Sequence, residues 1–93
     1  MPELLTSEEV QKNLTQLPGW AQSGDVITKT YSFKAYLDGV GFVNRVANAA
    51  EAADHHPDMA FGYKQVVVTL TTHSAKGITK KDFDLAADIE ALV

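Results

Sequence analysis

Residues 35–53 carry the longest helical pattern in the chain, and it is apolar along two stripes. Leu37, Val40, Val43, Ala47 and Ala50 recur at helical spacing, and Phe42, Val46, Ala49 and Ala53 form a second stripe beside them. One stripe packs a helix on its own sheet. Two stripes predict a second partner, because a helix apolar over much of its girth is usually buried on more than one side. The alternative is a single wide face in a small domain. Gly39, Gly41, Ala47 and Ala50 are small enough to allow close helix approach. The helix must stop near Asp54–His56, because Pro57 disfavours helical geometry in the residue before it.

The flanking segments read as two hairpins and two more helices. Thr6-Ser7-Glu8-Glu9 is a capping box that opens a short helix over residues 6–16, with Val10 and Leu14 four apart and Leu17 one turn later. Leu17-Pro18-Gly19 ends it. Trp20-Ala21-Gln22 is a short strand and Ser23-Gly24-Asp25 a tight turn. Val26–Phe33 is the returning strand, with Ile27, Tyr31 and Phe33 on one parity. Residues 59–62 form a third strand, Tyr63–Lys64 a turn and Gln65–Thr72 a fourth strand. Val66, Val68 and Leu70 share one face of it, while Gln65, Val67, Thr69, Thr71 and His73 share the other. After the loop Ser74-Ala75-Lys76-Gly77, a second capping box at Thr79-Lys80-Lys81-Asp82 opens a helix running to the C-terminus. Phe83, Ala86, Ala87, Ile89, Leu92 and Val93 supply its inner side. The order α-β-β-α-β-β-α predicts an α+β two-layer sandwich, a four-stranded, mostly antiparallel sheet with helices on one face. Residues 1–93 make one domain, whose modest core gains from oligomerisation.

Composition matters here for what it excludes. Without cysteine there is no disulfide, no thiolate–zinc site and no cysteine nucleophile. A net charge of −4 with scattered basic residues argues against a nucleic-acid surface. No stretch approaches the roughly 18 apolar residues of a membrane span. Met1-Pro2-Glu3-Leu4-Leu5 lacks the basic region and apolar run of a signal peptide, so a cytoplasmic protein is expected.

All three histidines fall close to the end of the long helix and the end of the last strand. An unperturbed imidazole titrates at roughly 6.5, so a fold that gathers three can move protons at neutral pH. His55 and His56 sit at a helix C-terminus, where the macrodipole favours a protonated ring. Glu51 lies four residues before His55, so the two can meet on one helical face and the carboxylate can select the tautomer. The plainer reading is a histidine cap with a routine partner. His73 at a strand end is either solvated or part of the site. Asp82 caps its helix and can also reach a histidine. Trp20 is either a core aromatic or a flat wall for a planar ligand. Zinc would need three convergent ligands, but adjacent His55 and His56 diverge on a helix or a strand. A Ser74 triad lacks a strained elbow. Acid–base chemistry without a cofactor fits better, with several imidazoles, an orienting carboxylate and an aromatic residue nearby.

The pattern Glu51-x3-His55-His56-Pro57-x5-Tyr63-x9-His73-x8-Asp82 resembles the signature of the pterin-4a-carbinolamine dehydratases, with seven positions in register over 32 residues. The resemblance extends to Gly19-Trp20, to Phe42 and Arg45, to Thr69-Leu70-x-Thr72-His73 and to Leu85-Ala86. It implies that fold and the dehydration of a 4a-hydroxytetrahydropterin to quinonoid dihydropterin, in tetrahydropterin recycling. His55 and His73 would be the acid–base pair and His56 would bind and polarise the pterin. Glu51 would orient His55, and Asp82 would orient His73. Trp20, Pro57 and Thr72 would line the pocket or contact the pterin. No metal and no organic cofactor is implied. The sequence departs from the family at Met59, Ala60 and Gly62, where larger residues are usual, and this bears on substrate range. Animal members also act as dimerisation partners of a homeodomain transcription factor through the long helix. A non-catalytic interaction module is therefore the alternative. In this chain the helix 35–53, or a sheet edge, is expected to build a homodimer or homotetramer.

Overall fold

A computed structural model describes residues 3–93; the reading of the N-terminus rests partly on Met1 and Pro2, which lie outside the described residues. Helix α1 (Ser7–Leu14) starts at its predicted capping box. The Thr6 hydroxyl accepts the Glu9 N–H at 3.1 Å, and the Glu9 carboxylate accepts the Thr6 N–H at 2.9 Å. Two donors left over at the helix start are thereby satisfied. The helix is shorter than the predicted 6–16 because Thr15, Gln16 and Leu17 wind on in tighter i→i−3 bonds before Pro18.

Strands β1 (Ala21–Ser23) and β2 (Val26–Ser32) form the first hairpin, turning at Gly24 with φ +58. Strands β3 (Asp58–Phe61) and β4 (Gln65–Leu70) form the second. The sheet order is β1-β2-β4-β3, and all three pairings are antiparallel. The last ladder ends at Leu70, two residues earlier than predicted. Thr72 instead bridges to Gly77 and a short 3-10 turn forms at His73–Ala75.

Register places Ile27 opposite Leu70 and Tyr31 opposite Val66 on one sheet face. Helix α2 (Tyr36–Ala53) lays Phe42, Val46 and Ala50 on that face, and helix α3 (Lys80–Glu90) adds Phe83, Leu85, Ala86 and Ile89. Ile27, Phe42, Val46, Val66, Val68, Leu70, Ala86 and Ile89 are all fully buried. Each large apolar side chain removed from water in this way contributes about 1.5–3 kcal/mol. The opposite sheet face, with Thr28, Thr30, Val67 and Thr69, stays half-buried or exposed.

The two stripes of α2 do different things. Gly39, Phe42, Val46 and Ala50 face the core, Val40 and Val43 are half-buried, and Leu37 and Ala47 are exposed. Gly39 serves the helix–sheet contact rather than a second helix: a Cβ there would sit 3.1 Å from the Phe61 ring. Helix α3 stops at Glu90 rather than running to the C-terminus, so the expected inner residue Val93 lies beyond it and is exposed; Ala87 is exposed on the helix, and Leu85 takes the buried place.

A polar cluster pins the far end of α3. Glu90 Oε1 accepts the Trp20 indole N–H at 2.9 Å and the Tyr31 hydroxyl at 3.0 Å, and it also pairs with Lys29. Burial pushes the Glu90 carboxyl up. The bonds from Lys29, Tyr31 and Trp20 and the Lys29 charge outweigh this and hold it below its ordinary value. Burial, and then the Glu90 charge, push the Tyr31 phenol up. Among the described residues no helix is long and apolar enough to cross a membrane.

Candidate active site

The site begins at the end of α2. Asp54 adopts the left-handed conformation, φ 50 and ψ 42, and closes the helix in a Schellman pattern. The His55 N–H reaches Ala50 O at 3.1 Å and the Asp54 N–H reaches Glu51 O at 3.2 Å. Aspartate is one of the few side-chain residues that visits this region readily. The turn it makes decides where both neighbouring histidines go.

His55 is carried inward. Its side chain is 11 % exposed, and Nε2 lies 2.5 Å from Asp82 Oδ1. Asp82 is fully buried in the first turn of α3. Its other oxygen accepts the Thr79 N–H and the Thr72 hydroxyl, each at 2.9 Å. The Thr72 and Thr79 hydroxyls are 2.8 Å apart. A buried carboxylate is costly unless such donors surround it, and here no buried side-chain nitrogen or oxygen among the described residues lacks a partner. His56 turns the other way. Its side chain is 58 % exposed and its Nε2 lies 2.6 Å from Glu51 Oε1. An open pair of this kind is worth roughly 0–1 kcal/mol.

Two orienting assignments are therefore exchanged. Glu51 meets His56 rather than His55, because i,i+4 geometry holds only inside a helix and α2 has already ended at Ala53. Asp82 meets His55 rather than His73, because α3 begins beside the end of α2, while His73 is exposed in the 3-10 turn. The ring of His73 makes no hydrogen bond to the described residues.

All three histidines nevertheless line one cleft of about 230 Å³, with Asp54, Thr71, Thr72, Ser74 and Lys81 completing its wall. Other hollows, one between Leu4 and Gly77 and one between Leu5 and Lys80, contain no histidine. Trp20 does not reach the cleft. It is buried against Tyr31, with ring centroids 6.4 Å apart, and bonds Glu90, eight residues or about 12 Å along α3 from Asp82. Pro57 is half-buried and lies outside the lining. Thr72 does line it, but its hydroxyl is committed to Asp82. Among the described residues no phenylalanine, tyrosine or tryptophan lines the cleft. Tyr63 stacks on Tyr36 at the other end of α2, with ring centroids 6.4 Å apart.

Lys81, read from the sequence only as part of a capping box, and Ser74, weighed there only as a nucleophile, both stand in the cleft wall. Lys81 stands beside Asp82 inside the capping box, so the same motif that marks the carboxylate marks a cation at the rim. No group of three or more His, Cys, Asp or Glu side chains among the described residues is arranged to hold a metal ion.

The fold and cleft define a small α+β domain that presents a histidine group with a buried carboxylate behind it. The sequence model described as pterin 4 alpha carbinolamine dehydratase matches residues 3–92, and the chain belongs to that family. It is 45 % identical to a provisionally named pterin-4-alpha-carbinolamine dehydratase from Picosynechococcus sp., over 99 % of this chain and 100 % of the relative. It is 47 % identical to one of the same name from Natronomonas pharaonis, over 99 % and 98 %. A transcriptional coactivator/pterin dehydratase from Brucella melitensis has the same fold, with a TM-score of 0.92, 36 % identity and coverage of 96 % and 97 %. A pterin dehydratase-like protein described as a RuBisCO assembly factor in the alpha-carboxysome is more distant. Its TM-score is 0.68, with 25 % identity over 80 % of this chain and 88 % of that one.

Proposed function

We propose that the protein dehydrates a 4a-hydroxytetrahydropterin to quinonoid dihydropterin and water, by acid–base catalysis from its histidines. The observation that carries this reading is the buried Asp82–His55 pair in a cleft shared with His56 and His73. Family membership supports the substrate class.

The reaction asks for what such a cleft offers. The N5 lone pair forms the C4a–N5 double bond as the C4a–O bond breaks. One group protonates the departing hydroxyl, which leaves as water, and another takes the N5 proton. In our reading His55 and His73 divide these two tasks, and His56, steadied by Glu51, binds and polarises the pterin. Acid–base catalysis of this kind is typically worth roughly 10²–10⁴-fold. Asp82 backs His55 from the interior, which supports a ring with one fixed orientation. Pro57 would then shape the cleft from behind His56. We place the reaction in the cytoplasm, in tetrahydropterin recycling, with no metal or organic cofactor.

The test is a stopped-flow assay in which phenylalanine hydroxylase generates the 4a-hydroxypterin and its decay is followed in the ultraviolet. Addition of the protein should speed the decay. Changes to alanine at His55 or His73 should each remove roughly 10²-fold or more of that acceleration, with a smaller loss at His56. A folded protein that leaves the decay unchanged would overturn the reading.

A second reading rests on the outward stripe of α2. Leu37 is 74 % exposed there, beside Tyr36 at 47 %. We propose that this face joins copies of the chain as a homodimer or homotetramer. In a non-catalytic role the same face would dock a different protein.

A further inference from the structure

The hydrogen bonds behind Asp82 run in one direction. The Lys81 N–H donates to Thr79 Oγ1 at 3.2 Å, so this hydroxyl is free to give its own proton to Thr72 Oγ1, 2.8 Å away. Thr72 then donates to Asp82 Oδ2 at 2.9 Å, beside the Thr79 N–H at the same distance. A backbone N–H can only donate, and the threonine chain ends as a donor. Oδ2 therefore carries no proton, and the carboxylate is left to accept at Oδ1, where His55 Nε2 lies 2.5 Å away. The other ring nitrogen of His55 has no partner among the described residues, yet no buried side-chain nitrogen is unsatisfied. Nδ1 therefore reaches the solvent on the ring that lines the cleft.

We infer that Thr72 and Thr79 are positioning residues: through Asp82 they hold neutral His55 protonated at Nε2 and leave Nδ1 as its proton-accepting atom in the cleft. This rests on the dehydratase reading above. His55 is then the base. The N5–H bond of the pterin breaks, an Nδ1–H bond forms, and Asp82 faces the resulting imidazolium. The proton later returns to solvent from Nδ1. His73, which has no carboxylate partner among the described residues, is left as the acid for the hydroxyl. Thr72, expected from the sequence to touch the pterin, acts through Asp82 instead.

The decisive variant is Asp82→Asn. Both donors on Oδ2 demand an acceptor, so the amide oxygen takes that place and the amide NH₂ faces His55 Nε2. Nε2 must then accept, and the proton moves to Nδ1. Nitrogen-15 NMR of the imidazoles, above their titration range, reads the tautomer without substrate. Wild-type His55 should be the Nε2–H form alone, and Asp82→Asn the Nδ1–H form. In the decay assay Asp82→Asn should lose roughly 10²-fold or more in kcat, within the range that acid–base catalysis supplies, with little change in KM. Thr72→Val should mix the tautomers and lower kcat, and Thr72→Ser should restore both. Wild-type His55 in the Nδ1–H form would sink the inference, and that measurement needs no variant to fold. So would an unchanged tautomer in Asp82→Asn. If wild type fails to speed the decay while its tautomer is as expected, the dehydratase reading falls and the hydrogen-bond assignment stands.

Discussion

At the scale of single residues, burial separates two carboxylates that look alike in the sequence. Glu51 and Asp82 each hold a histidine ring, but Glu51 lies on the open surface and Asp82 has no exposed area. Glu51→Ala should change the urea midpoint by less than the equivalent of about 1 kcal/mol. Thr79→Ala should cost about 1–2 kcal/mol, because it removes a helix cap along with a partner of Thr72. Equal losses in the two variants would contradict this division. The identity of the histidines and carboxylates was legible in the chain, but their pairing was not. Sequence spacing assumes that a helix continues, and the left-handed Asp54 breaks that assumption one residue before His55.

At the scale of elements, the joint between α2 and the sheet is tight, and the joint between α3 and the first hairpin is electrostatic. Gly39→Val places branched carbon where the Phe61 ring already sits. It should destabilise by about 1–3 kcal/mol in thermal or urea melts, the usual cost of overpacking. Glu90 gives the second joint a pH dependence. Its folded-state pKa is depressed, so its contribution is complete above the unfolded value of 4.5 and is lost as pH falls through the folded value. Tyr31 works at the other end. Its pKa is raised, so its contribution is complete below 10.0 and is lost as pH rises beyond that. Urea midpoints measured against pH should show both edges. Glu90→Gln should flatten the acid edge and cost about 1–2 kcal/mol at neutral pH, in line with the loss of charge-assisted hydrogen bonds. Both capping boxes and the β4 alternation could be read from the chain because they are local. The role of Trp20 could not, because its partner Glu90 is 70 residues away.

For the whole molecule, no residue of the outward stripe of α2 lines the cleft, so assembly and catalysis can be tested apart. Val43 is half-buried against the core and would confuse folding with assembly. Leu37→Glu with Ala47→Glu touches exposed positions only. Sedimentation equilibrium should show wild type as dimer or tetramer and the double variant shifted toward monomer, with all three histidines untouched. A wild-type monomer at micromolar concentration would remove the assembly reading.

The chain by itself determined the order of elements, the sheet face that is buried, the capped starts of α1 and α3, and the set of histidines. Each of these follows from periodicity or from hydrogen bonds that span only a few residues. Tertiary structure alone decided that Asp82 backs His55, that Glu51 turns to His56, that Trp20 belongs to the core and that Tyr63 lies away from the cleft. These relations depend on how α2 ends and where α3 lands beside it. A contact across 27 residues, such as His55 to Asp82, leaves no periodic trace in the sequence.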